Sequence, residues 1–153
     1  MKTQTFAVIM AGGTGIRFWP KSRKKIPKQF LKITGDKTMI QSTLHRIESF
    51  LPHQNTIVVT NILHAKTVQD QLPSIPSENI ILEPVGRNTA PCIGLAALIV
   101  EQKDRDGVMV VLPSDHWIKD DRQFCNELKI AARIAAEKKT LIAFGIKPSY
   151  PET

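Results

Sequence analysis

The apolar run Phe6-Ala7-Val8-Ile9-Met10 leads straight into Ala11-Gly12-Gly13-Thr14-Gly15-Ile16-Arg17. Glycines at 12, 13 and 15 let the backbone turn sharply and put no side chain between the peptide N–H groups and a ligand. Consecutive N–H groups in such a turn make a concavity that binds anions. Arg17, and Lys28 in the later block Pro27-Lys28-Gln29-Phe30, would add fixed positive charge at two points along a phosphate chain. A nucleoside triphosphate suits that arrangement. A tight turn after a strand is the plainer account of the glycines alone.

Two other glycine patterns are excluded by the residues themselves. A dinucleotide fingerprint needs a third glycine three positions after Gly15, where Phe18 stands. A P-loop needs Gly-Lys followed by Ser or Thr, and the chain has no Gly-Lys pair. Further along lie Glu83-Pro84-Val85-Gly86-Arg87-Asn88-Thr89-Ala90-Pro91 and Leu112-Pro113-Ser114-Asp115-His116. Together with the glycine block and Pro27-Lys28-Gln29-Phe30, they make the chain resemble the sugar-1-phosphate nucleotidyltransferases, specifically the mannose-1-phosphate guanylyltransferases. Gly145-Ile146-Lys147-Pro148-Ser149-Tyr150-Pro151-Glu152-Thr153 resembles the start of that family's next block. Departures are small: Ile16 replaces a small hydroxyl residue and Cys92 an alanine.

The resemblance implies transfer of GMP from GTP to a sugar 1-phosphate, most simply mannose 1-phosphate, giving GDP-sugar and pyrophosphate. Another hexose or heptose 1-phosphate, or a regulatory homologue that binds nucleotide without turnover, are the alternatives. Because the nucleophile is already an anion, the chemistry asks for alignment and charge stabilisation rather than a strong base. Arg17 and Lys28 carry over as catalytic residues, although Lys28 also fits a solvated basic loop. Ala11, Gly12, Gly13, Thr14, Gly15, Glu83, Gly86, Arg87, Asn88, Thr89 and Ser114 carry over as nucleotide-binding. Asp115 carries over as a ligand of Mg²⁺, a hard cation that keeps waters and shares phosphate oxygens. Capping the next turn is its plainer role. His116 fits a packing role equally well.

Thymidylyltransferase relatives place glutamine where Glu83 stands. A carboxylate only accepts, and guanine offers N1–H and its 2-amino group side by side, so Glu83 would favour guanine. A strand-end glutamate facing water is the alternative. Gly12 and Gly86 would leave room for the base, and Arg87 also fits a surface ion pair. By the same resemblance, a second metal aspartate and the sugar-binding block lie beyond residue 153, and a downstream antiparallel strand separates the fourth and fifth strands. Residues 1–153 are then the N-terminal part of one nucleotidyltransferase domain, truncated at its C-terminus. Alone, they are expected to turn over poorly and to self-associate through the open sheet edge.

Five apolar runs must position these residues: Phe6–Met10, Ile57–Thr60, Ile80–Leu82, Val108–Leu112 and Leu141–Ile146. Helical patterns separate them. Met39, Ile40, Leu44, Ile47 and Phe50 share one face, as do Ile62, Ala65, Val68 and Leu72. Residues 90–102 are apolar nearly all round, which predicts burial between layers. Asn88 or Thr89 is the expected N-cap, with Pro91 in the first turn. Residues 121–139 form the fourth pattern, with Phe124, Leu128, Ala131 and Ala135 inward and Lys138-Lys139 closing it. Alternating strands and helices predict an α/β fold with a mostly parallel sheet covered on both faces. The resemblance makes it a three-layer α/β/α, Rossmann-like nucleotidyltransferase domain. Ligands collect at the carboxyl ends of such strands, where three of the blocks begin.

A net charge of +7 suits anionic ligands. Nucleic acid is disfavoured as a partner: Lys21, Arg23, Lys24, Lys25, Lys28 and Lys32 crowd together, but no nucleic-acid-binding pattern accompanies them. An acidic downstream half would also account for the excess. No apolar run reaches membrane-spanning length, and the short N-terminal strand argues against a signal peptide. Cys92 and Cys125 have no metal spacing, which fits reduced thiols in a cytoplasmic protein. The resemblance implies a homo-oligomeric parent.

Overall fold

The computed structural model describes residues 3–13, 22–23, 26–33, 35–86 and 88–146. Four strands, β1 (Thr5–Met10), β2 (Thr56–Asn61), β3 (Ile80–Glu83) and β4 (Val108–Pro113), form one sheet in the order β3-β2-β1-β4. Every pairing is parallel, with Val8 opposite Ile57 on one side of β1 and Val111 on the other. Central β1 is buried on both faces and reads as an unbroken apolar run for that reason. Its side chains alternate: Ala7 and Ile9 face one cluster, Phe6 and Val8 the other.

Helices α1 (Met39–Ile47), α2 (Ala65–Gln71) and α4 (Asp121–Lys138) cover the first face through Ile40, Leu44, Ile47, Val68, Leu128 and Ala132. Helix α3 (Thr89–Lys103) covers the other through Cys92, Ala96 and Val100. The expected three layers are therefore present. Connections β1 to β2 and β2 to β3 step one way along the sheet, with α1 and α2 on one face. The connection through α3 returns on the other face to place β4 beside β1. Keeping the crossovers right-handed requires that change of face when the direction reverses.

Four details differ from the sequence reading. Helix α3 buries only the stripe Cys92, Ala96 and Val100, and Leu98 is 59% exposed. It is an outer layer, so its apolar composition exceeds what its single packed face needs. Ile62 lies in a short 3₁₀ turn before α2 and is exposed; Asn61 caps that turn, its side chain accepting from Leu63 N–H at 2.9 Å. Helix α4 buries Cys125, Leu128 and Ala132, a face rotated by about one residue from the expected one. Leu141–Ile146 forms no strand among the described residues, and Leu141 is almost fully exposed. A cleft of about 1090 Å³ is lined by β4, α4 and residues 139–146. An apolar run without a hydrogen-bonding partner gains no ladder, whatever its propensity.

Candidate functional site

The sheet changes direction between β1 and β4, and at that switch point the loops leaving the two strands diverge. Ser114 N–H donates to Met10 C=O at 3.2 Å, extending the β1–β4 ladder to the last residue before the loops part. The crevice is a cavity of about 610 Å³ lined by Gly12, Gly13, Lys28, Gln29, Glu83, Gly86, Asn88, Thr89, Cys92, Ser114 and Asp115, with Met10 and Pro113 beneath. Nine of the residues predicted from sequence thus line one cavity: Gly12, Gly13, Lys28, Glu83, Gly86, Asn88, Thr89, Ser114 and Asp115. Ala11 is buried just below, its N–H donating to Val59 C=O at 2.8 Å. Thr14, Gly15, Arg17 and Arg87 lie outside the described residues.

Pro27-Lys28-Gln29-Phe30 forms a single 3₁₀ turn, closed by Phe30 N–H to Pro27 C=O at 3.0 Å. Phe30 is buried against the ring of His64, centroids 5.4 Å apart, and anchors the turn. Lys28 projects from the anchored turn and forms an ion pair with Asp115. Two residues given separate roles by the resemblance are therefore in direct contact. Asp115 also gains support from α1. Arg46, a buried arginine, donates to Asp121 Oδ1 at 2.6 Å and reaches His116 C=O at 3.5 Å. That bond holds the loop that carries Asp115, and the sequence reading missed it. An arginine beside Ile47 on an otherwise apolar face was the available signal.

Glu83 ends β3 and is buried, not turned to water. Burial without compensating charge pushes its carboxyl above the ordinary carboxylate range. Its Oε2 lies over Gly12, so a Cβ at residue 12 would sit 2.6 Å from that oxygen. Gly86 is under no such constraint: a Cβ there would meet nothing nearer than Gly12 C=O at 3.9 Å. Burial, and then the charge of Glu83, push the Cys92 thiol up to about 11. Asn88 is the N-cap of α3 as expected, but its side chain makes no capping bond. Its backbone has φ 69° and ψ −167°, a region that non-glycine residues seldom occupy. Asn88, Thr89 and Cys92 bring the start of α3 to the cavity, and a helix N-terminus leaves backbone N–H groups without intrahelical partners.

Among the described residues no group of three or more His, Cys, Asp or Glu side chains gathers as a metal site. Asp115 supplies one hard oxygen at the cavity, which fits a cation that takes its remaining ligands from water and phosphate. No helix among the described residues is long and apolar enough to cross a membrane.

Residues 6–153 match the model of the nucleotidyl transferase family. The mannose-1-phosphate guanylyltransferase of Escherichia coli is 46% identical over 157 residues, covering all of this chain and 33% of its own length. The alginate biosynthesis protein AlgA of Pseudomonas aeruginosa is 46% identical over 148 residues, covering 95% of this chain and 30% of its own. The chain thus spans about a third of the length of these curated relatives. Among solved structures, a mannose-1-phosphate geranyltransferase of Thermus thermophilus superposes with a TM-score of 0.77 at 31% identity, over 87% of this chain and 38% of that one. A mannose-6-phosphate isomerase of Helicobacter pylori also gives 0.77, at 27% identity over 98% of this chain and 53% of that one. The fold, the motif order and the similarity to mannose-1-phosphate guanylyltransferases agree, and the chain belongs to the nucleotidyl transferase family.

Proposed function

We propose that residues 1–153 are the nucleotide-binding part of a guanylyltransferase domain that transfers GMP from GTP to mannose 1-phosphate, releasing pyrophosphate. The observation that carries this reading is the convergence of the glycine loop, Lys28, Glu83 and Asp115 on one cavity at the switch point of a parallel sheet. Gly12 and Gly13 line the phosphate side with backbone only. The start of α3 adds its N–H groups and partial positive charge. Buried Glu83 accepts N1–H and the 2-amino group of guanine, which accounts for a carboxylate held where water is excluded. Ser114 and the β4 loop bring Asp115 to the cavity beside Lys28, where it would hold Mg²⁺. When bound, that ion would neutralise charge on the phosphate oxygens.

Lys28 belongs at the α-phosphate, with Arg17 proposed on the phosphate chain. Asp115 holds the Lys28 ammonium at the cavity wall. Nucleotide would exchange that partner for phosphate oxygens and leave the carboxylate to the metal. The sugar phosphate oxygen attacks in line and pyrophosphate departs, with no proton to remove from the nucleophile. Alignment and fixed charge are the chain's contribution. The test is pyrophosphate release by the full-length protein with GTP and Mg²⁺, comparing mannose 1-phosphate with glucose 1-phosphate and GTP with ATP. Release that requires GTP and mannose 1-phosphate is expected; release independent of base, or none with any sugar phosphate, would overturn the reading.

A further inference from the structure

Gln29 is 2% exposed, yet it lines the cavity beside Lys28. Its Nε2 donates to the carbonyls of Ala11 and Gly13, both at 2.9 Å. Only the amino side of a carboxamide can meet two carbonyl oxygens, so the orientation of the group is set by its partners. Ala11 C=O is fixed a second time by Thr60 Oγ1 at 3.3 Å. In a planar trans peptide the N–H points away from the C=O. Drawing two alternate carbonyls to one nitrogen therefore dictates which way Gly12 N–H faces and how the chain leaves Gly13. Glycines at these positions impose no preference of their own. A glycine loop needs such a restraint if its N–H groups are to be set before an anion arrives.

We propose that Gln29 is a positioning residue that presets the glycine loop for the nucleotide's phosphates, an inference that rests on the nucleotide-binding reading above. The proline turn and the buried Phe30 ring hold Gln29 in place, so the same turn that presents Lys28 also shapes the loop. Glu83 accepts no bond from Gln29, although its Oε2 lies over Gly12. Loss of the clamp should therefore weaken binding of a phosphorylated ligand more than binding of the bare nucleoside.

Two variants of the full-length protein test this. Gln29→Met removes both donors at similar volume, and Gln29→Glu sets a carboxylate against two carbonyl oxygens. Calorimetric titration with GTP and with guanosine is one measurement. Backbone hydrogen exchange over residues 11–13 of the unliganded protein is the other, and it needs no nucleotide. Both variants should bind GTP about tenfold or more weakly, lose much less affinity for guanosine, and exchange faster in the loop. Unchanged GTP affinity, unchanged exchange, or equal losses for GTP and guanosine would each overturn the clamp. A wild-type protein that binds no GTP would overturn the nucleotide reading instead, while the exchange measurement still decides whether Gln29 holds the loop.

Discussion

Replacing Glu83 with glutamine should move affinity and stability in opposite directions. In the unliganded protein no described residue donates a hydrogen bond to this buried carboxylate, and its pKa is raised by burial. A carboxyl whose folded pKa lies above its unfolded value favours the protonated form on folding. Its ionised form therefore costs stability, a cost present above the folded pKa and lost as the pH falls through it. The amide of Glu83→Gln carries no charge, so the unliganded variant should melt higher than wild type at pH 8, with the gap closing as the pH falls toward the carboxylate range. For GTP the sign reverses. The amide would set a donor against guanine's paired donors, at a loss of about 1–3 kcal/mol, or roughly 5- to 150-fold in Kd. ATP binding, which gains nothing from the carboxylate, should change little. Wild-type affinity for GTP should also fall on acidification, beginning above the ordinary carboxylate pKa of 4.5. Thermal melts and calorimetry at two pH values measure every part of this. A wild type that binds GTP and ATP equally, or a variant that keeps its preference for GTP, would refute the assignment.

Lys28→Ala in the full-length protein should lower kcat by roughly 10²–10³ with a smaller effect on GTP affinity; an effect confined to KM would make Lys28 a binding residue. With its pKa pushed up to about 11, Cys92 is almost wholly protonated at pH 8, so iodoacetamide should leave it unmodified under native conditions and mass spectrometry would show otherwise. Asn88→Gly should raise the melting temperature, because the left-handed backbone at φ 69° costs a non-glycine residue about 1–3 kcal/mol. A fall would show that the Asn88 side chain compensates for its backbone.

Strands β1 to β4 were legible from apolar runs bounded by turn residues, and their observed ends lie within a residue or so of those runs. Periodicity reports how apolar a segment is, but not whether a partner stands beside it. Leu141–Ile146 satisfies the pattern and pairs with nothing among the described residues, and α3 is apolar beyond its packed stripe for a related reason. The cavity wall was legible because Gly12, Lys28, Glu83 and Asp115 sit in short blocks of distinctive composition. Gln29 stood inside one of those blocks without a role, since a buried amide that serves two backbone carbonyls leaves no trace in spacing. Arg46 was hidden likewise: its partners, Asp121 and His116, lie 75 and 70 residues away.

The strand order also governs how the molecule comes together in time. Strand β1 is central, yet its two neighbours arrive from different distances. Asn55, just before β2, bonds to Thr5 across 50 residues; Gln4, just before β1, bonds to Asp104 across 100. Loop-closure entropy grows only with the logarithm of length, so the second closure costs about 0.6 kcal/mol more than the first. Chain length therefore gives β2 only a small head start over β4. The crevice exists only when both have docked, because Glu83 ends β3, which pairs with β2, and Asp115 follows β4. Recovery of nucleotide binding during refolding should consequently trail helix formation and track completion of the sheet, a topology dominated by distant contacts.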